Sequence, residues 1–281
     1  YEIRPRDWSS DVCSSDLDNK ILKCFYDCNI ENLKTLKPIA KKFLENPFPL
    51  LLYGEPGVGK TYFMLVLVKE LLDKLFIEGG RDQNKPYIDI PKLTLKPSQF
   101  TNNLLVVASF VEVWLAKENN PGLIGMNILE KIQMAIPAQL YGAMLANVDY
   151  ILIGAGIPAQ VPALLDGLAQ GKPVAMRVDV TGSTEKHEIR YDPAQISGIT
   201  YPIKRPHFLA IVSSHILVSY LNKDEETKPD GFVIEGHVAG GHNAPPRAKN
   251  HVNENDEAIY GEADIPNFEK ILRSEEHTSE L

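Results

Sequence analysis

From residue 104 onward, strand-length apolar runs alternate with helical ones, and that alternation admits few folds. Residues 104–108 are apolar and 110–117 are helical by period. Residues 124–129 read as a strand, 136–148 as a helix, 150–154 as a buried strand and 161–169 as a helix. After an interruption come a strand at 208–213, a helix at 215–221, a strand at 231–235 and the start of a helix at 267–272. Helices between successive strands force those strands to run parallel, so the pattern implies a parallel sheet, open or closed. The interruption has period two on both sides of a Thr181-Gly182-Ser183 turn, which predicts an inserted hairpin of 174–180 with 187–191. The chain carries about four such strand–helix units, where a closed barrel needs about eight.

The first part of the chain follows another plan. Leu33, Leu36, Ile39 and Phe43 recur at helical spacing within 18–45, and 49–53 is a short buried-strand run. Gly54-Glu55-Pro56-Gly57-Val58-Gly59-Lys60-Thr61 then opens an apolar helix through residue 76, and 85–99 is a proline-punctuated extended stretch. A glycine loop between strand and helix, closing on Lys-Thr, is the phosphate-cradling pattern. Its backbone N–H groups would hold the phosphates of ATP, Lys60 would pair with the terminal ones, and the Thr61 hydroxyl would face Mg²⁺. Over roughly 18–68 the chain resembles AAA-type ATPases, in particular helicase loaders. Cleavage also needs an acid at the end of a later apolar strand. Asp89 lies in a proline-flanked run and Asp179 follows a strand interrupted by Arg177, so no such acid is apparent in the sequence.

The strand at 231–235 runs into Gly236-His237-Val238-Ala239-Gly240-Gly241-His242. Loops at the carboxyl ends of barrel strands converge on one mouth. Paired glycines let backbone approach a flat or anionic ligand, and His242 is the side chain best suited to move a proton near neutral pH. On its own, a histidine beside glycines is more often a solvated loop residue.

Further stretches carry a resemblance. They are 106–113 (VVASFVEV), 125–133 (GMNILEKIQ), 140–146 (LYGAMLA), 153–158 (IGAGIP) and the Ala239-Gly240-Gly241-His242 segment. Over about 71–272 the chain resembles the nitronate monooxygenases, or 2-nitropropane dioxygenases. That resemblance implies an FMN-binding (β/α)₈ TIM-type barrel, here incomplete, oxidising alkyl nitronates with O₂. It implies His242 as the catalytic base, Asn127 at a strand end in contact with the flavin, and Gly240 and Gly241 beside the cofactor. Glu235 stands where the family usually has Gln in contact with FMN, and a carboxylate there adds negative charge beside an anionic cofactor.

The two ends read differently again. Ser14-Ser15-Asp16-Leu17 can be encoded by one strand of a sequencing adapter and Arg273-Ser274-Glu275-Glu276 by its reverse complement, so 1–17 and 273–281 resemble translated adapter rather than domain. The divisions expected are therefore 1–17, an ATPase-like segment at 18–70, a partial barrel at 71–272, and 273–281. The net charge is −8; the tails account for −2 each, leaving −4 over the body, which argues against a nucleic-acid surface. Without Cys13 only Cys24 and Cys28 remain, with no second pair or nearby His to complete a zinc site, so no metal is expected. The longest apolar run, 104–116, is broken by Glu112 and too short for a bilayer. A cytoplasmic setting follows by default. The last two strands, which carry the cofactor phosphate in this fold, would follow residue 272, so the chain as written is expected to bind FMN weakly or not at all. Three classes stay open: a flavin oxidoreductase fragment acting on a small nitronate-like substrate, a P-loop ATPase of loader type, and an inert chimera of the two. The join near 62–75 is where fragments of different origin would meet.

Overall fold

A computed structural model of the 281-residue chain divides into two compact units, Tyr1–Phe76 and Ile77–Leu281. It describes residues 82–239 except 197, residues 252–276, and the single positions 67, 71, 74, 75, 77 and 246. In the first unit Leu67, Leu71, Lys74 and Leu75 are helical, as the sequence predicts. The phosphate-loop residues Gly54, Gly59, Lys60 and Thr61 lie outside the described residues, as do Gly240, Gly241, His242, residues 1–17 and residues 277–281.

The second unit is mixed α/β. Residues 82–98 carry no strand and lead into α1, Gln99–Lys117. This single helix corrects the reading of 104–108 as the first strand of the alternation. Ser98 starts it, its Oγ accepting the N–H of Thr101 at 3.1 Å. Val106, Phe110 and Val113 then bury one stripe at helical spacing. Asn119, in the left-handed region at φ 56°, and Pro121 end it.

Strand β1 is Gly125–Leu129 and helix α2 Ile136–Leu145, with Pro137 in its first turn, where a missing N–H costs nothing. The predicted helix of 136–148 stops short because Asn147 turns left-handed at φ 58°. A Cβ on Gly142 would fall 2.1 Å from the carbonyl oxygen of Val106, so this glycine sets how closely α1 and α2 approach. Strand β2, Tyr150–Gly154, and helix α3, Val161–Ala169, lie where the sequence puts them. The hairpin follows as β3, Val174–Val178, antiparallel to β4, His187–Tyr191. Its apolar side, including Met176, Ile189 and Tyr191, is buried. Then come β5 (His207–Val212), α4 (His215–Leu221), β6 (Gly231–Ile234) and α5 (Phe268–Glu276).

The main sheet has four strands, all parallel, in the order β1-β2-β5-β6. Each strand lies beside the next one of the series, and the hairpin is set apart as a separate sheet. Register places Ile128, Ile151, Ile153, Phe208, Ala210 and Val212 on one face, all buried. The other face carries Asn127, Leu129, Leu152, Leu209, Ile211 and Val233, half-buried or exposed. Among the described residues no helix is long and apolar enough to cross a membrane.

Candidate functional site

The two ends of the sheet are built from different chemistry. At the amino end, Asp149 immediately precedes β2. Its carboxylate accepts Lys117 Nζ at 2.6 Å, Lys204 Nζ at 2.7 Å and the N–H of Ile124 at 3.0 Å. Those donors hold it far below the usual carboxylate range, the Lys117 bond contributing most. Asp230, just before β6, accepts Arg205 Nη1 at 2.7 Å and the N–H of Phe208 at 2.6 Å, while Arg205 Nε donates to Asp166 at 2.6 Å. Burial works against the charge of Asp230, but Arg205 and that N–H outweigh it, and its pKa is lowered. Both aspartates tie the first residues of neighbouring strands together. Paired charges of this kind fix strand starts and leave little to react, which is the stabilising role expected of an amino-terminal rim.

At the carboxyl end, chain leaves β2 through a loop of small and apolar residues, Ala155-Gly156-Ile157-Pro158, while acidic residues, Glu130 and Glu235, directly follow β1 and β6. Glu130, directly after β1, is buried; its N–H reaches the Gly154 carbonyl at 3.0 Å and its Oε1 accepts Gln133 Nε2 at 2.6 Å. Gly156 lies against this carboxylate so closely that a Cβ would sit 1.9 Å from Oε2. Between the glycines Ala155 is held left-handed at φ 57°, a conformation costly for a residue with a side chain. Gln133 Oε1 accepts the N–H of Asp179 at 3.1 Å, and Gln160 exchanges two hydrogen bonds with the backbone of Arg177, at 2.8 and 3.2 Å. The far end of β3 is thus pinned to the loops after β1 and β2.

The expected cofactor residues fall as follows. Asn127 is the third residue of five in β1, not at its end as expected, because the strand runs on to Leu129 before the chain turns at Glu130. It is exposed on the open face, and its carboxamide has no hydrogen-bond partner among the described residues. Glu235 directly follows β6, its N–H donating to the Val212 carbonyl at 2.9 Å, with its side chain half-buried. The two share one face but stand at opposite edges of the sheet, three strand spacings or about 14 Å apart in that direction. No contact joins them. His237 stands on the same rim, its ring 5.6 Å from that of Tyr260.

No family model, curated protein or solved structure matches this chain. An unpaired carboxamide can both donate and accept, which suits the alternating N–H and C=O edge of an isoalloxazine ring, so Asn127 fits a flavin. Glu235 can only accept when ionised, which suits a ring N–H and not a phosphate. Among the described residues no group of three His, Cys, Asp or Glu could hold a metal ion.

The residues that sequence reasoning passed over are Glu130, Gln133 and Gln160. Glu130 carried a signal, an acid placed directly after an apolar strand, but two glutamines in turns carry none. A second polar cluster lies away from the sheet ends. The hydroxyls of Tyr141 and Tyr201 are 2.5 Å apart, and the Tyr141 ring lies 5.5 Å from that of Tyr191. Burial first, then the Tyr201 bond, pushes the Tyr141 hydroxyl far above its ordinary range; Tyr191 is raised by burial and by the charges of Tyr201 and Asp192. Both stay neutral, so they pack rather than react.

Proposed function

We propose that the second unit is part of a flavin-dependent oxidoreductase of nitronate monooxygenase type, built on a (β/α)₈ barrel, with His242 as the base and Asn127 against the FMN ring. The observation that carries this reading is the strand order. A doubly wound sheet reverses direction at a switch point, whereas a barrel lays each parallel strand beside the next in chain order, as β1-β2-β5-β6 does here. The polarity of the two rims points the same way, with paired charges at the amino end and a strained small-residue turn and an unpaired carboxamide toward the other. Curling such a sheet would turn the face of Asn127 and Glu235 inward and shorten the distance between them.

FMN, when bound, supplies the electron transfer and the reaction with O₂. The chain orients and moves protons. An imidazole at His242 takes the acidic α-proton of a nitroalkane or, once protonated, pairs with the anionic nitronate. Asn127 would hold the ring edge. We place the enzyme in the cytoplasm on the same footing. The test is flavin binding by the product of the uninterrupted gene, followed by its visible absorbance. Asn127→Ala is expected to weaken it about tenfold, the loss of a hydrogen bond near 1.5 kcal/mol. A colourless protein at saturating FMN would sink the proposal.

A second reading, Mg-ATP binding, rests on the phosphate-loop residues Gly54, Gly59, Lys60 and Thr61. It is checked by whether nucleotide binding disappears in Lys60→Ala.

A further inference from the structure

The two edges of the hairpin sheet differ. On the β3 side, Gln160 Oε1 accepts the N–H of Arg177 at 2.8 Å and Gln160 Nε2 donates to its carbonyl at 3.2 Å. Both backbone groups of Arg177 therefore point away from β4, and the carboxamide closes this edge as a neighbouring strand would. In an antiparallel pair, residues directly opposite alternate between exchanging both backbone bonds and exchanging none. Arg177 stands opposite Glu188 and Ala175 opposite Arg190, so both of these pairs are of the second kind. The N–H and C=O of Glu188 and of Arg190 thus face outward from the far edge of β4. No described residue bonds them. Helix α2 lies on the face of this strand, not its edge, where the Tyr141 ring meets that of Tyr191 at 5.5 Å.

Unpaired backbone groups at an edge are a template for a further strand, which proline, a bulge or a covering element ordinarily blocks. Strand β4, His-Glu-Ile-Arg-Tyr, has no proline and pairs one to one with β3, without a bulge. Its exposed side chains carry opposite charges placed symmetrically about Ile189. An antiparallel copy centred on Ile189 sets Glu188 opposite the partner's Arg190, and Arg190 opposite the partner's Glu188. These are the residues whose backbone groups face outward, so one register forms the backbone bonds and the cross-strand ion pairs together. Moving the centre by one residue sets Glu188 against itself or Arg190 against itself. Charge therefore fixes the register. Within one chain Arg190 Nε reaches Glu188 Oε1 at 2.7 Å, an exposed pair of little worth that is readily exchanged across the axis.

We infer that the outer edge of β4 is a self-association site, at which two copies of this chain join their hairpins into one antiparallel sheet about a twofold axis at Ile189. The pairing is independent of the flavin reading. A single strand edge falls well short of the ~800 Å² per partner of a standard interface, so the dimer is weak, with a Kd expected on the order of 100 μM. Sedimentation velocity of the full chain over a concentration series reaching about 1 mM tests it. Glu188→Arg and Arg190→Glu each set like charges across the axis and are expected to weaken association at least about tenfold. Mixing the two variants restores opposite charges in both rows, and so does the double exchange Glu188→Arg/Arg190→Glu. Both are expected to associate as the parent does, with unchanged far-ultraviolet dichroism. A parent that stays monomeric throughout the series overturns the inference, as does association that either single variant leaves unchanged. So does a mixture no more associated than its components. Should a single variant misfold, the double exchange decides alone: association at the parent's level upholds the site, and a folded monomer overturns it.

Discussion

The ammonium group of Lys117, the last residue of α1, lies 2.6 Å from Oδ2 of Asp149, at the point where β2 begins. One ion pair thereby ties a helix end to a strand start, and Lys204 completes it from the other side at 2.7 Å. Asp149 is buried while both lysines reach water, so the pairs are worth less than fully enclosed ones. Asp149→Asn is expected to cost about 2–3 kcal/mol, read as a lower urea midpoint at neutral pH. The carboxyl is held below its ordinary range, so this stabilisation is complete above the unfolded value near about 4 and is lost as the pH falls below it. The variant should show a flatter acid limb in its stability curve. Equal acid sensitivity in both proteins would show that the pairs contribute nothing.

Gly142 governs the contact between α1 and α2. A methyl group there meets the carbonyl oxygen of Val106, which is backbone and cannot rotate away. Gly142→Ala should therefore part the helices and cost about 2–3 kcal/mol, despite the better helix propensity of alanine. Thermal or urea unfolding decides it. A neutral or stabilising result would mean that the helices do not approach as described.

The tyrosine cluster yields an opposed pair of expectations. The Tyr191 hydroxyl is buried with no hydrogen-bond partner among the described residues, whereas that of Tyr141 is bonded to Tyr201. Removing an unsatisfied hydroxyl relieves a desolvation cost, and removing a bonded one leaves its partner stranded. Tyr191→Phe should be neutral or stabilising by up to about 1 kcal/mol, and Tyr141→Phe destabilising by about 1 kcal/mol. The reverse order in denaturant unfolding would overturn this picture of the cluster.

Local pattern was enough for β2, α3 and α4, where apolar period and flanking turns agree. It misled at 104–108, because a short apolar run is the same in a buried helix as in a strand. The arbiter there was Ser98, whose hydroxyl caps a helix that begins five residues before the run. Strand order was not legible, since pairing depends on contacts far apart in sequence. For the site, Asn127 was singled out by the family resemblance, which put it at a strand end, although the apolar run of 124–129 already extended past it, as β1 does to Leu129. Glu130 was marked by its place directly after an apolar strand, but nothing local announces that Gln133 and Gly156 enclose its carboxylate.

O₂ uptake driven by an alkyl nitronate, in the FMN-supplied product of the uninterrupted gene and in its His242→Ala variant, bears most directly on the functional reading. Uptake by the parent protein that falls about a hundredfold or more in the variant is the expected result, the scale of a lost proton-transfer group. No nitronate-dependent uptake by the parent, or uptake that His242→Ala leaves unchanged, would contradict it.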